Sequence, residues 1–142
     1  MTIARLIEGR SSPVVSIESH ASLREAVALL AEKRIGALPV MQDGAIVGIF
    51  SERDVIYGLA QHGPDLLDGP VSAAMTAPVI TVDPATEVLS ALALMTRRRV
   101  RHLPVVKDKA MVGIISIGDL VKHRIERIES EAQAMRSYIQ SA

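Results

Sequence analysis

The chain has 142 residues, nearly half of them apolar, with 16 basic and 16 acidic side chains, very few aromatics and no cysteine. Such a balance describes a globular protein with an aliphatic core and excludes disulfides, thiolate metal sites and broad binding of nucleic acid through Lys/Arg–phosphate contacts. No apolar run approaches the roughly 18 residues of a membrane helix and no signal peptide opens the chain, so the expectation is a soluble, cytoplasmic protein with no membrane partner.

Residues 2–8 place Ile3, Leu6 and Ile7 on one side of a short helix, which residues 10–13 break. Residues 14–17 read as a short strand. Residues 21–33 form a helix, because Leu23, Ala26, Val27 and Leu30 recur at three and four, and Gly36 is expected to end it. Residues 38–41 make an edge strand that tolerates Pro39, Asp43-Gly44 signals a hairpin, and residues 46–50 return. A second helix covers residues 52–60. Gly63-Pro64 and Gly69-Pro70 mark a linker, followed by a helical turn at 71–75. The same order then recurs: strand 79–82, helix 86–96, strand 103–106, a turn at 107–109, strand 111–115, and a helix from Ile117 onward.

This recurrence is an internal duplication at an offset of 65 positions. Pro13 meets Pro78, Leu38-Pro-Val40 meets Leu103-Pro-Val105, and Asp43 meets Asp108, with about a third of aligned positions identical and no gap. Each unit is β-α-β-β-α. Neither half covers its own sheet well, so the expected architecture is an α+β fold in which two repeats pack sheet to sheet with pseudo-two-fold symmetry, plus a long C-terminal helix. The boundaries read as repeat one over 1–62 with its N-terminal helix, a linker over 63–70, repeat two over 71–126 and a helical extension over 127–142.

The strongest shared motif is Val47-Gly-Ile-Phe-Ser-Glu-Arg-Asp54 against Val112-Gly-Ile-Ile-Ser-Ile-Gly-Asp119. Ser51 and Ser116 sit where a helix N-cap belongs, with Asp54 and Asp119 three residues on. One reading is a capping box that satisfies free backbone N–H groups. The other is a ligand site, since a helix N-terminus attracts phosphate and a carboxylate can hold a ribose diol.

With these motifs the chain resembles a tandem CBS-domain pair, the module named after cystathionine β-synthase, over roughly residues 5–126. The resemblance rests on the duplicated Gly-Ile-x-Ser-x-x-Asp, the two Leu-Pro-Val strands and Met75-Thr-x-Pro-Val-Ile-Thr-Val82. It implies a regulatory module that binds adenosine nucleotides between the repeats: AMP or ADP first, and NAD(H) through its adenosine half. In such pairs the motif Asp holds ribose hydroxyls and the Ser contacts phosphate. Carried over residue by residue, one site would use Thr81, Arg101, His102, Pro104, Ser116 and Asp119; the other would use Ser16, Ala37, Pro39, Ser51, Arg53 and Asp54. CBS pairs also associate commonly, so a homodimer and a regulated protein of unknown identity are the implied partners.

The two sites differ in sequence. Arg101 and His102 stand where the first repeat has Gly36 and Ala37, which adds charge-assisted donors and marks the Asp119 site as the better monophosphate site. The cationic S-adenosylmethionine is disfavoured beside Arg101. The Asp54 site, with Arg53, is left for a nucleoside-like or dinucleotide ligand. Arg97 and Arg98 read instead as a basic helix end.

Beyond the second unit, Val121, Ile125, Ile128, Ala132, Met135 and Ile139 are spaced 4-3-4-3-4, an a/d stripe that reads as a dimer seam. Catalysis finds little support: His102 is the one histidine near either Ser motif, without an evident orienting acid. His20, His62 and His123 are scattered and read as solvated. The competing function is a structural interaction module whose clefts have degenerated.

Overall fold

The computed structural model describes residues 1–10 and 13–141. Part of the predicted break at residues 10–13 and the last residue of the expected C-terminal extension, Ala142, lie outside the described residues.

In chain order the elements are α1 (Ile3–Ile7), β1 (Ile17–Glu18), α2 (Leu23–Lys33), β2 (Ala37–Gln42), β3 (Ala45–Ser51), α3 (Glu52–His62), two 3₁₀ turns (Pro64–Asp68 and Val71–Ala73), α4 (Val88–Arg98), β4 (His102–Lys107), β5 (Ala110–Ser116) and α5 (Ile117–Ser141). The duplicated α+β architecture read from the sequence is present, as two small sheets with β3 of one in contact with β5 of the other.

Local chemistry explains most boundaries. Ser22 opens α2 by accepting the Glu25 N–H at 3.1 Å. The hairpin β2–β3 turns on Asp43 and Gly44, both at positive φ (52° and 78°). Its counterpart β4–β5 turns on Asp108 and Lys109 with the same signs (52° and 67°), although Lys109 has no glycine's freedom. Both hairpins slip register at the same place, after Val40 and after Val105, so the bulge belongs to the duplicated unit.

Two sequence readings are corrected. Helix α2 ends at Lys33 as its span predicts, but the stop is Arg34 rather than Gly36: Arg34 takes the left-handed C-cap conformation (φ 53°), and Arg99 does the same after α4 (φ 55°). The first strand of each repeat is shorter than expected. In repeat one it pairs only as Ile17–Glu18, parallel to β2, and in repeat two it shrinks to a single parallel bridge between Val82 and Val105. The preceding residues Val14 and Val15 lie outside the ladder and line a cleft between the repeats.

The core is in two parts, and the chain crosses between them. One cluster joins Leu23, Ala26, Leu30, Leu38, Val40 and Phe50 of repeat one to Val71 of the turn beyond the linker. The other joins Val88, Ala91, Met95, Leu103, Ile115 and Leu120 of repeat two to Ile3 of α1. Backbone bonds fix the exchange: Ile3 N–H donates to Thr86 at 2.9 Å and Val71 N–H to Ala21 at 2.7 Å. Thus α1, first in the chain, packs against the second repeat, and the turn that opens the second repeat packs against the first. The glycines of the two Val-Gly-Ile motifs accommodate these exchanged pieces. A Cβ on Gly48 would stand 2.6 Å from Met75 Sδ, and one on Gly113 would stand 3.2 Å from Ile7 Cγ2.

Candidate functional site

Among the described residues, two clefts are lined from both repeats. The larger, about 1000 Å³, is bounded by Arg10, Val14, Arg34, His102, Ser116 and Asp119, among others. The smaller, about 510 Å³, is bounded by Ser51, Glu52, Arg53, Thr76, Arg101 and His102, among others. Both lie in the range of roughly 300–1000 Å³ usual for small-molecule sites.

Each cleft contains a helix start. Ser116 N–H donates to Asp119 Oδ2 at 2.9 Å and Asp119 N–H donates to Ser116 Oγ at 3.1 Å, a reciprocal capping box at the head of α5. At the head of α3, Ser51 N–H and Ser51 Oγ both donate to Asp54 Oδ2, at 2.8 and 3.1 Å. The capping reading of the motif is therefore realised in both repeats. What differs is the next partner of each carboxylate. Asp54 Oδ1 accepts the Thr76 hydroxyl at 3.0 Å, whereas Asp119 Oδ2 is paired with the Arg10 guanidinium at 2.9 Å. Arg10 also donates to the Ile114 carbonyl, which fixes it against β5.

The electrostatics follow from these contacts. Burial pushes the Asp119 carboxyl up, but the Ser116 N–H and the Arg10 charge more than offset it and hold its pKa below the usual value. Burial lowers the His102 pKa below its ordinary value, against the opposing pull of Asp119 and Glu52 and with a small push from Arg101. His102 stands in the wall shared by the two clefts. It fits there because position 36 has no side chain: a Cβ on Gly36 would lie 3.3 Å from both Cε1 and Nε2 of the imidazole.

The CBS domain family profile matches residues 7–61 and 71–126. The chain belongs to the CBS domain family. It is 40% identical over 121 residues to a mitochondrial CBS domain-containing protein of Arabidopsis thaliana, covering 82% of this chain and 59% of that protein, so it spans less than two thirds of this relative. Among solved structures, a CBS-domain containing protein from Agrobacterium tumefaciens superposes with a TM-score of 0.83 at 36% identity, over 87% of this chain and 99% of that one. A CBS domain pair solved in complex with 5′-methylthioadenosine and S-adenosyl-L-methionine superposes with a TM-score of 0.78 at 26% identity, over 89% of this chain and 98% of that one.

Within this CBS pair the sequence-derived site residues distribute differently from their repeat membership. His102, Ser116 and Asp119 do share the larger cleft. Arg101 does not join them: it lines the smaller cleft with Ser51 and Arg53. Arg101 sits in the bend before β4 and His102 opens the strand, and of the two only His102 lines the cleft of Asp119. Ala37 lines both clefts. Pro39 and Pro104 are buried in their hairpins and line neither cleft, while Ser16 and Thr81 are exposed outside both. Asp54 is half-buried behind Thr76 rather than on the cleft surface. Arg53 spans the repeats by donating to the Arg99 carbonyl at the end of α4, at 3.3 Å. His20 and His62 are exposed as expected, but His123 is half-buried on the first turns of α5, with its Nε2 enclosed and without a hydrogen-bond partner.

Sequence reasoning missed Arg10, Arg34 and Thr76. Arg34 carried a usable signal, since it is identical to Arg99 at the repeat offset. Thr76 lies inside the motif that opens the second repeat. Arg10 had no repeat counterpart to draw attention to it.

Proposed function

We propose that this CBS pair is a non-enzymatic regulatory module that senses adenosine nucleotides, with AMP or ADP as leading ligands and NAD(H) admitted through its adenosine half. The observation that supports it most is the composition of the clefts. Each sets a Ser-x-x-Asp helix start beside two guanidinium groups, Arg10 and Arg34 in the larger cleft and Arg53 and Arg101 in the smaller. Such groups suit a phosphate, and Asp119, open to the larger cleft, suits a ribose diol. Further support comes from the related CBS pair in complex with two adenosine compounds.

The position of Arg101 revises the division of labour expected from the sequence. Phosphate-binding charge is present on both sides of His102, so the clefts differ by volume and by the state of their carboxylates. The larger has room for a dinucleotide and offers Asp119. The smaller suits a mononucleotide held chiefly by Ser51, Arg53 and Arg101. Ligand that touches both repeats favours one packing of them over another, which is how occupancy would reach a regulated protein.

Thermal denaturation with AMP, ADP, ATP, NAD+, NADH and S-adenosylmethionine tests the reading. A ligand bound only by the native state adds about 2.7 kcal/mol at a hundredfold excess over Kd. The expected result is a rise with the adenylates, reduced in Arg34→Ala for the larger cleft and in Arg101→Ala for the smaller. No rise with any of the six at millimolar concentration would overturn it in favour of a purely structural interaction module, a reading that the engagement of Asp54 by Thr76 favours for the smaller cleft.

A further inference from the structure

Helix α5 runs 25 residues, about 37 Å at 1.5 Å per residue, and every residue from Ile125 to Ser141 is exposed. Its apolar side chains lie uncovered on one stripe: Val121 is 43% exposed, Ile125 and Ile128 50%, Met135 60% and Ile139 66%. An isolated helix with an apolar stripe needs a surface to cover it, and the 4-3-4-3-4 spacing closes only against another helix of the same period. Ile125, Ala132 and Ile139 take the a positions, and Val121, Ile128 and Met135 the d positions.

The flanking charges select the partner and its direction. Positions e are Lys122, Glu129 and Arg136; positions g are Arg124, Glu131 and Tyr138. In a parallel, in-register pair, each g residue faces the e residue five positions further along the other helix. Arg124 then meets Glu129 of the second copy and Glu131 meets Arg136 of the second copy, opposite signs in both cases. Antiparallel pairing with full overlap gives the reverse: Glu129 meets Glu129, Glu131 meets Glu131 and Lys122 meets Arg136. Slipping the antiparallel pair by one heptad relieves those clashes but leaves Met135 and Ile139 uncovered in one direction and Val121 and Ile125 in the other, whereas the parallel pair covers all six.

We infer that α5 is a parallel, in-register two-stranded coiled coil between two copies of this chain, with Arg124–Glu129 and Glu131–Arg136 as intermolecular ion pairs. Parallel pairing sets both CBS modules at the same end of the coil. The association is independent of what the clefts bind.

The absence of cysteine gives a clean test. Met135→Cys places a thiol at a d position that meets itself only in the parallel register, so mild oxidation should give a disulfide-linked dimer. Ser137→Cys, on the outer face, should not. Antiparallel pairing would instead link Met135→Cys to Ile125→Cys in a mixed sample, and that product would overturn the proposal. Sedimentation equilibrium adds the charge test. Glu129→Arg turns two attractive pairs repulsive and should raise the dimer Kd about tenfold, while Arg124→Glu added to it should restore the affinity. A chain that stays monomeric at hundreds of micromolar, or a dimer indifferent to Glu129→Arg, would also overturn it. Circular dichroism of each variant verifies that the helix is intact.

Discussion

At the head of α3, the Asp54 carboxylate is shared among the Ser51 N–H, the Ser51 hydroxyl and the Thr76 hydroxyl; at the head of α5, that of Asp119 is shared between the Ser116 N–H and a guanidinium, Arg10. Thr76 and Arg10 arrive on the two segments that the repeats exchange, one following the turn at Val71–Ala73 and the other following α1. Duplication thus preserved the helix cap, which is local, and let the contact from the exchanged segment diverge. The outcome is one carboxylate withdrawn behind a neutral hydroxyl and one kept at a cleft surface by a cation. Two helix starts of the same sequence pattern therefore present different chemistry at their surfaces.

The exchanged segments also offer the largest expected difference between the halves. Gly48→Ala would drive a methyl to 2.6 Å from Met75 Sδ and 3.0 Å from the Thr76 carbonyl, and a backbone oxygen cannot swing away as a side chain can. Overpacking of this kind costs about 1–3 kcal/mol. Gly113→Ala meets only the side chain of Ile7, at 3.2 Å, and should cost less than its counterpart. Chemical denaturation of both variants measures the contrast, and equal losses would mean that the two exchanged segments are held equally firmly.

Next in size are the caps. Asp119→Ala removes the capping-box acceptor and strands Arg10, and Asp54→Ala removes the equivalent cap and frees Thr76. Each should lose about 1–2 kcal/mol, the Arg10 pair adding little because both side chains are more than a third exposed. The distinction lies in binding: titration calorimetry should show the NAD+ heat of the larger cleft lost in Asp119→Ala and the AMP heat of the smaller cleft largely kept in Asp54→Ala. Equal loss in both would mean that Asp54 reaches its cleft despite Thr76.

A smaller contrast is set by pH, through His102 and its counterpart Ala37. The folded pKa of His102 lies below 6.5, chiefly because burial disfavours the charged ring. Between 6.5 and that lower value the unfolded chain binds more protons than the folded one, so stability is full above pH 6.5 and declines as pH falls beneath it. His102→Gln, which cannot titrate, should flatten the denaturation midpoint in that window. A slope unchanged by the substitution would assign it to other groups.

How far these features were legible in the sequence depended on how local they were. The repeat, the hairpins and the Ser-x-x-Asp caps each close within a few residues, so pattern and spacing carried them. The clefts are made by juxtaposing residues far apart in the chain. Placing Arg101 beside Asp119 followed repeat membership, whereas the fold puts it with Ser51 and Arg53 of the other repeat. Ile3 looked like the edge of repeat one, yet its amide and side chain complete repeat two, because a short helix at the chain start is free to pack wherever the sheet is open. Arg34 was hidden for a different reason: a glycine two residues on seemed the natural helix stop, and a left-handed arginine is an uncommon choice.

The smallest expected effect tests how much backbone strain the duplicated hairpin tolerates. Asp43-Gly44 and Asp108-Lys109 adopt the same positive-φ turn, and a residue with a Cβ in that conformation costs about 1–2 kcal/mol relative to a right-handed one. Glycine escapes that cost but gives up more freedom on folding, about 0.5–1 kcal/mol. The difference predicts that Lys109→Gly stabilises the protein by a few tenths of a kcal/mol to about 1 kcal/mol and that Gly44→Lys destabilises it by a similar amount. Thermal denaturation of the two single variants should therefore shift in opposite directions, and the double exchange should return close to the parent because the two turns belong to separate sheets and a Cβ on Gly44 would meet nothing within 4 Å. If Lys109→Gly lowers the melting temperature, the lysine at the second turn is held by interactions that outweigh its strained backbone, and the two hairpins differ in more than their glycine.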